Sequence, residues 1–365
     1  MTERYQDALA LFGIQSGFVE EQIEKVYDSL KELHKPEDFA LLSPEYLMAS
    51  NKQRELASAY YCLYKPFSHY IVNQNSNLIN EEQMIDEVSK LIYDYSKKGK
   101  IVNKEFITKL VEILLSFKSL NQYIKDIEFH AYDKNSICEY GNGTLTVYEQ
   151  NLKDSIVFPY WFEEAEKSYY PYYQTVATIY HEVKHANHKK IAEQGKNDIY
   201  SFLWQVCNVY KQIDNESFSR IVSLPSPIFE IMNVLLEFKT NQQYRKYRKY
   251  WLYCPDERVA EICGNSLALT LIEQAPNKKE LKNMLTHFSE LVVEILFFGY
   301  DKLLGPTDFY LSKFKQYKDC LKLSEMSKSL SVEERLLLGL YVTANELESA
   351  KKDKEKILSG VRQLC

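Results

Sequence analysis

Ile179-Tyr180-His181-Glu182-Val183-Lys184-His185 lies inside a run from Gln174 to Lys190 that keeps helical spacing, with Val176, Ala177, Ile179 and Val183 on its apolar side. The pattern is His-Glu-x-x-His. On a helix, residues four apart sit about 40° from each other and about 6 Å apart along the axis, so two imidazoles can close on one metal ion from successive turns. Glu182 then projects beside His181 and His185, where a carboxylate can take a proton from a metal-bound water. With only 7 His in 365 residues, a chance match to this pattern is rare.

The flanks of this run set the fold class. Ile124 to Ala131 and Ser136 to Val147 alternate in the strand manner around the turn chemistry of Gly141-Asn142-Gly143-Thr144, so a small sheet precedes the motif helix. Residues 80 to 123 read as two amphipathic helices, with Ile85, Val88, Leu91 and Ile92, then Phe106, Leu110, Ile113 and Leu114, on their apolar faces. Tyr5 to Tyr64 reads as a helical hairpin. From Asn277 onward the pattern is helical again, with Leu281 to Ile295 as one apolar face and Leu336 to Leu347 as another. The expectation is an α+β, predominantly α-helical chain in three regions. A helical hairpin unit spans 1–75, a unit with the sheet and the motif helix spans 76–275, and a helical region spans 276–365.

A catalytic zinc needs a third protein ligand. His188 shares the face of His181 and His185, but in a straight helix it stands about 10 Å beyond His181 along the axis. The alternative lies in Pro255-Asp256-Glu257-Arg258-Val259-Ala260-Glu261-Ile262-Cys263-Gly264. Pro255 starts a helix, and small Ala260 and Gly264 let it lie close against a neighbour. Glu257 and Glu261 project on one face, one turn apart. Glu257, Glu261 and His188 all remain candidates, and 72 residues separate His185 from Glu257. That gap predicts a structured insert at about 190–250, with helices at Ile199 to Lys211 and Ile228 to Lys239.

From Ile124 to Leu271 the chain resembles a zincin metallopeptidase of the gluzincin type. The resemblance implies zinc held by His181, His185 and Glu257, Glu261 orienting a ligand imidazole, Glu182 as general base, and a peptide or protein as substrate. It also implies an edge strand at Gly143 to Val147 that pairs with an extended peptide. The first region resembles a J-domain, through Ala8 to Ile14, Ile23 to Tyr27 and Leu56 to Tyr60. The family's His-Pro-Asp is here His34-Lys35-Pro36-Glu37-Asp38, with residues inserted between its members. A rival reading is a non-catalytic binding, scaffold or co-chaperone-like protein with a structural or degenerate zinc site. Under either reading, the N-terminal or C-terminal helices are the surfaces for a protein partner.

Composition narrows the setting. A net charge of −6 and a hydrophobic content of 45% suit a soluble globular protein and argue against whole-chain nucleic-acid binding. Tyr244-Arg245-Lys246-Tyr247-Arg248-Lys249-Tyr250-Trp251 interleaves bases with aromatics but reads as a helical seam with a solvated basic side. The 7 Cys are scattered without a Cys-x-x-Cys pair, so no disulfide framework and no thiolate zinc site is expected. No signal-peptide pattern and no membrane span are expected, which points to a cytoplasmic protein and leaves export by a signal-independent route open.

Overall fold

The computed structural model describes residues 3–14, 20–40, 43–71, 78–99, 102–117, 124–130, 136–141, 143–194, 200, 204, 255–297, 300, 330–339 and 342–365. The helices expected at Ile199 to Lys211 and Ile228 to Lys239, and the stretch Tyr244 to Trp251, lie outside the described residues except for Tyr200 and Trp204. The chain is predominantly helical with one small sheet, as its patterning predicts. No described helix is long and apolar enough to cross a membrane.

The first three helices are α1 (Glu3–Phe12), α2 (Glu20–Glu32) and α3 (Pro44–Ser68), and a 3-10 turn at Pro36–Asp38 precedes α3. They close a core of their own around Leu9, Phe12, Ile23, Leu56, Tyr60 and Leu63. Strand β1 (His69–Ile71) then leads to α4 (Glu81–Lys97) and α5 (Lys104–Ser116). Asn80 caps α4 in a capping box with Gln83, and the Asn103 side chain accepts from Phe106 N–H at the start of α5. Both helices turn their predicted apolar faces inward.

Strands β2 (Asp126–His130), β3 (Cys138–Gly141) and β4 (Thr144–Tyr148) join β1 in a sheet of order β1-β2-β4-β3. β2 and β4 run parallel, with Ile127 opposite Leu145 and Phe129 opposite Val147. All four side chains are buried, so the alternation puts one face of the sheet on the core. The hairpin returns β4 between β2 and β3, so the expected edge position of Gly143 to Val147 is corrected. β3 is an edge strand, with β1 at the other edge, and its pattern, buried only at Cys138, suits a strand with one neighbour.

After the short α6 (Glu149–Ser155), helix α7 (Glu164–Gln194) carries the motif. It begins ten residues before Gln174 and runs through Pro171. An interior proline costs about 3 kcal/mol. Burial of Tyr170, Tyr172 and Tyr173 around it offsets that cost, which is the role of most of this tyrosine cluster. Helices α8 (Pro255–Gln274) and α9 (Lys282–Phe297) follow, then α10 (Val332–Leu337), α11 (Ala344–Lys352) and α12 (Lys354–Leu364). The apolar run Leu336 to Leu347 is thus two helices, because Gly339 takes a left-handed φ of 68° between them. One core runs from Met84 on α4 to Val361 on α12, so the C-terminal helices pack on the unit that carries the motif.

Cys263 on α8 and Cys365 form a disulfide with a Cα–Cα distance of 5.0 Å across 102 residues of chain. This corrects the expectation of no disulfide, since so long a separation leaves no local spacing to read. Closing a loop of that length removes unfolded-state entropy worth roughly 4–5 kcal/mol in the chain-entropy account. Cys365→Ser is expected to lower stability by about 2–4 kcal/mol in urea denaturation. Reductant should bring the wild type down to the variant and leave the variant unmoved.

A second prediction concerns Gly264. A Cβ there would stand 2.4 Å from the Ala177 carbonyl oxygen, a backbone atom that cannot step aside. Gly264→Ala gains about 1 kcal/mol of helix propensity, yet overpacking at a backbone contact costs about 1–3 kcal/mol or more. The variant should melt several degrees lower than the wild type by circular dichroism.

Candidate metal centre

Helices α7 and α8 pack antiparallel. Successive turns face each other as a ladder. Ala177 meets Gly264, His181 meets Glu261, and His185 meets Asp256 and Glu257. Absence of a side chain at Gly264 brings the two backbones together, and the carboxylates one and two turns nearer the start of α8 then reach the imidazoles.

Three donor atoms converge. His181 Nε2 and His185 Nε2 are 3.0 Å apart, and Glu257 Oε2 lies 3.4 Å from the first and 3.3 Å from the second. Among the described residues, this trio is the group of His, Cys, Asp and Glu side chains placed to hold a metal ion. Ligands about 2.1 Å from a tetrahedral centre stand about 3.4 Å from one another, so the triangle fits three corners of a tetrahedral metal site and leaves the fourth open.

The surrounding groups fix which nitrogen faces the centre. His181 Nδ1 is 3.0 Å from Glu261 Oε2, so its N–H donates to the carboxylate and Nε2 keeps its lone pair for the metal. Asn265 Nδ2 in turn donates to Glu261 Oε1 at 3.2 Å. On the second histidine, Asp256 Oδ2 lies 3.7 Å from His185 Nδ1. Asp256 is buried, and its sequence context assigned it no role. The missed signal was its place immediately before Glu257, which puts it on the side of α8 toward His185.

Glu182 lies beside the trio. Its Oε1 is 3.9 Å from His181 Nε2, and its Oε2 accepts the backbone N–H of Tyr140 on β3 at 3.0 Å. One carboxylate oxygen is therefore anchored to the edge strand while the other is turned toward the metal position. A cleft of about 400 Å³ opens over these groups, with Cys138 and Ile137 on the strand side and Gln174, Thr178 and His181 along α7. Burial, and then the charge of Glu182, push the Cys138 thiol well above its usual range, which removes it as a nucleophile.

His188 does not join the trio. Its ring stacks on Trp204 with centroids 4.0 Å apart and planes 16° from parallel.

The electrostatics favour positive charge at the centre. Burial opposes protonation of His181, but hydrogen bonds to Glu257 and Glu261 and the charge of Glu182 outweigh it, so its pKa stands well above the ordinary histidine value. Burial likewise pushes Glu261 up, and the His181 imidazole with Asn265 more than reverses this, holding the carboxyl below its usual range. A buried centre that draws a proton this way draws a metal cation by the same attraction.

Because Glu261 acts through His181, Glu261→Gln should weaken zinc binding about 10–100-fold in a chelator competition while leaving helix content intact. An unchanged affinity would remove Glu261 from the site. Compared with family models, with curated proteins and with solved structures, the chain matches none.

Proposed function

We propose that the chain is a zinc-dependent metallopeptidase that hydrolyses peptide bonds at the cleft between β3, α7 and α8. The observation that carries this reading is the triangle of His181 Nε2, His185 Nε2 and Glu257 Oε2, with edges of 3.0, 3.3 and 3.4 Å and Glu182 at its side. Zinc bound there supplies Lewis acidity, which lowers the pKa of a bound water and polarises a carbonyl.

The protein's own residues do the rest. Glu182 accepts the water proton and later delivers it to the leaving amine. The Tyr140 N–H restrains Glu182 Oε2, so the carboxylate keeps one orientation through both transfers. Glu261 holds the His181 imidazole from behind, and Asp256 places a carboxylate 3.7 Å from His185 Nδ1. β3 is hydrogen-bonded to β4 on one side and forms a wall of the cleft on the other. An extended chain laid along that wall would sit with a scissile carbonyl over the metal position.

The test pairs metal content with activity on denatured casein. Wild-type protein should retain one equivalent of zinc after dialysis, and His188→Ala should retain it too. Glu257→Ala should lose most of it. Glu182→Gln should keep zinc and lose hydrolysis by at least about 10²-fold. Wild-type protein that holds no zinc would sink the reading. Glu182→Gln protein that cuts casein at the wild-type rate would remove the general-base role.

A further inference from the structure

Between α6 and α7 the chain reads Val157-Phe158-Pro159-Tyr160-Trp161-Phe162, and the large apolar side chains of this turn are held in solvent. Val157 is 71% exposed, Phe158 42%, Tyr160 93% and Trp161 47%. Four large side chains exposed within five residues make an apolar patch of the kind that marks an interaction site. The turn is also built to stay where it is. Phe162 N–H donates to the Pro159 carbonyl at 3.0 Å, and the Trp161 carbonyl accepts from Asn283 Nδ2 at 3.3 Å. Phe162 is buried beneath it, against Tyr170. Buried Glu166 accepts from the backbone N–H groups of Glu163, Asn283 and Met284, which pins the base of the turn to the start of α9.

A chain of contacts runs from this surface to the cleft through buried Tyr170. The Phe158 ring lies 6.0 Å from the Tyr170 ring, and the Tyr170 hydroxyl donates to Gln174 Oε1 at 3.1 Å. Gln174, Thr178 and His181 then follow one another along α7 as the lining of the cleft. Tyr170 precedes His181 by eleven residues, or about 16 Å of helix. An extended peptide covers that distance in about five residues, at about 3.3 Å each.

We propose that the Val157–Phe162 turn is a distal recognition surface for the substrate, taking a large aliphatic or aromatic side chain four to six residues from the scissile bond. The inference rests on the cleft being a peptide-binding groove and deepens that reading by naming the class of chain it selects. Its occupant is an unfolded or extended segment with apolar residues, since Tyr and Trp rings ordered in advance bury apolar area at little cost in conformational entropy. Contacts this far from the reacting atoms act alike on bound substrate and transition state, so they set KM rather than kcat.

The experiment uses reduced, carboxymethylated casein with wild-type protein and with the double variant Tyr160→Ser, Trp161→Ser, both loaded with zinc. Sequencing of the wild-type products should show large apolar residues enriched four to six positions to one side of the cut. The double variant should lose that enrichment and raise KM about tenfold, with kcat and zinc content unchanged. Binding of the same casein is measured in parallel on Glu182→Gln protein, with and without the two serines. Tenfold weaker binding there supports the surface even if no preparation cuts casein, an outcome that overturns the peptidase reading alone. Equal affinities and equal cleavage profiles overturn the surface and leave the peptidase intact, and no binding and no cleavage overturn both. Partitioning onto lipid vesicles or dimerisation that the serines abolish, with casein affinity unaffected, would reassign the turn and also overturn the proposal.

Discussion

The contact between Gly264 and the Ala177 carbonyl governs the rest of the site. Two helices with ordinary side chains at the crossing stand 8–10 Å apart, and short carboxylates on one then fall short of imidazoles on the other. A glycine at this one turn lets α8 settle against α7. Because the helices are antiparallel, the next turns bring Glu261 to His181, then Glu257 and Asp256 to His185. The positions of three carboxylates and two histidines follow from one missing side chain and the helical repeat.

α8 must also be held from its other side, and Arg258, the residue after Glu257, does this. It is buried, and an unpaired buried charge would be costly. Its guanidinium donates to the carbonyls of Leu296 and Leu336, in the last turns of α9 and α10. The Leu336 carbonyl also accepts from Gly339 N–H at 3.2 Å, and both carbonyls stand at the negative end of a helix dipole, so a cation suits them. The C-terminal helices therefore brace the helix that carries Glu257 and Glu261. The Cys263–Cys365 disulfide adds a covalent tie, and Lys184, inside the motif itself, donates to the Cys365 carbonyl at 2.6 Å. Lys184 and Tyr180 face that tie, and His181, about 100° round the helix from Tyr180, lines the cleft, so one helix serves both purposes on adjacent faces.

Features that repeat locally were legible in the sequence. The His181–His185 spacing, the Glu257–Glu261 spacing, the small residue at Gly264 and the apolar faces of α4, α5 and α9 are all periodicities of one element. Strand alternation found β2, β3 and β4 as well. Features that depend on two distant elements meeting were not legible. Neither the Tyr140 N–H on Glu182, 42 residues away, nor Asp256 beside His185 leaves a trace in spacing. The order β1-β2-β4-β3 was invisible for the same reason, since β3 and β4 carry similar alternation and only the return of the chain beside β2 decides which lies outside. The run read from Gln174 falls short of the start of α7, because propensity counts the cost of Pro171 and omits the buried tyrosines that offset it.

The chemistry of the donors narrows the proposed metal further than the motif does. Four carboxylates, Glu182, Asp256, Glu257 and Glu261, surround two imidazoles, so the centre attracts cations of any kind. Attraction alone would admit calcium or magnesium, but those ions take six or more oxygen ligands, and this centre offers two nitrogens and one oxygen. With Nδ1 of His181 committed to Glu261, its Nε2 can meet a cation only as a neutral donor, which suits a borderline-soft ion at tetrahedral distance. Zinc satisfies the charge, the donor types and the edge lengths together.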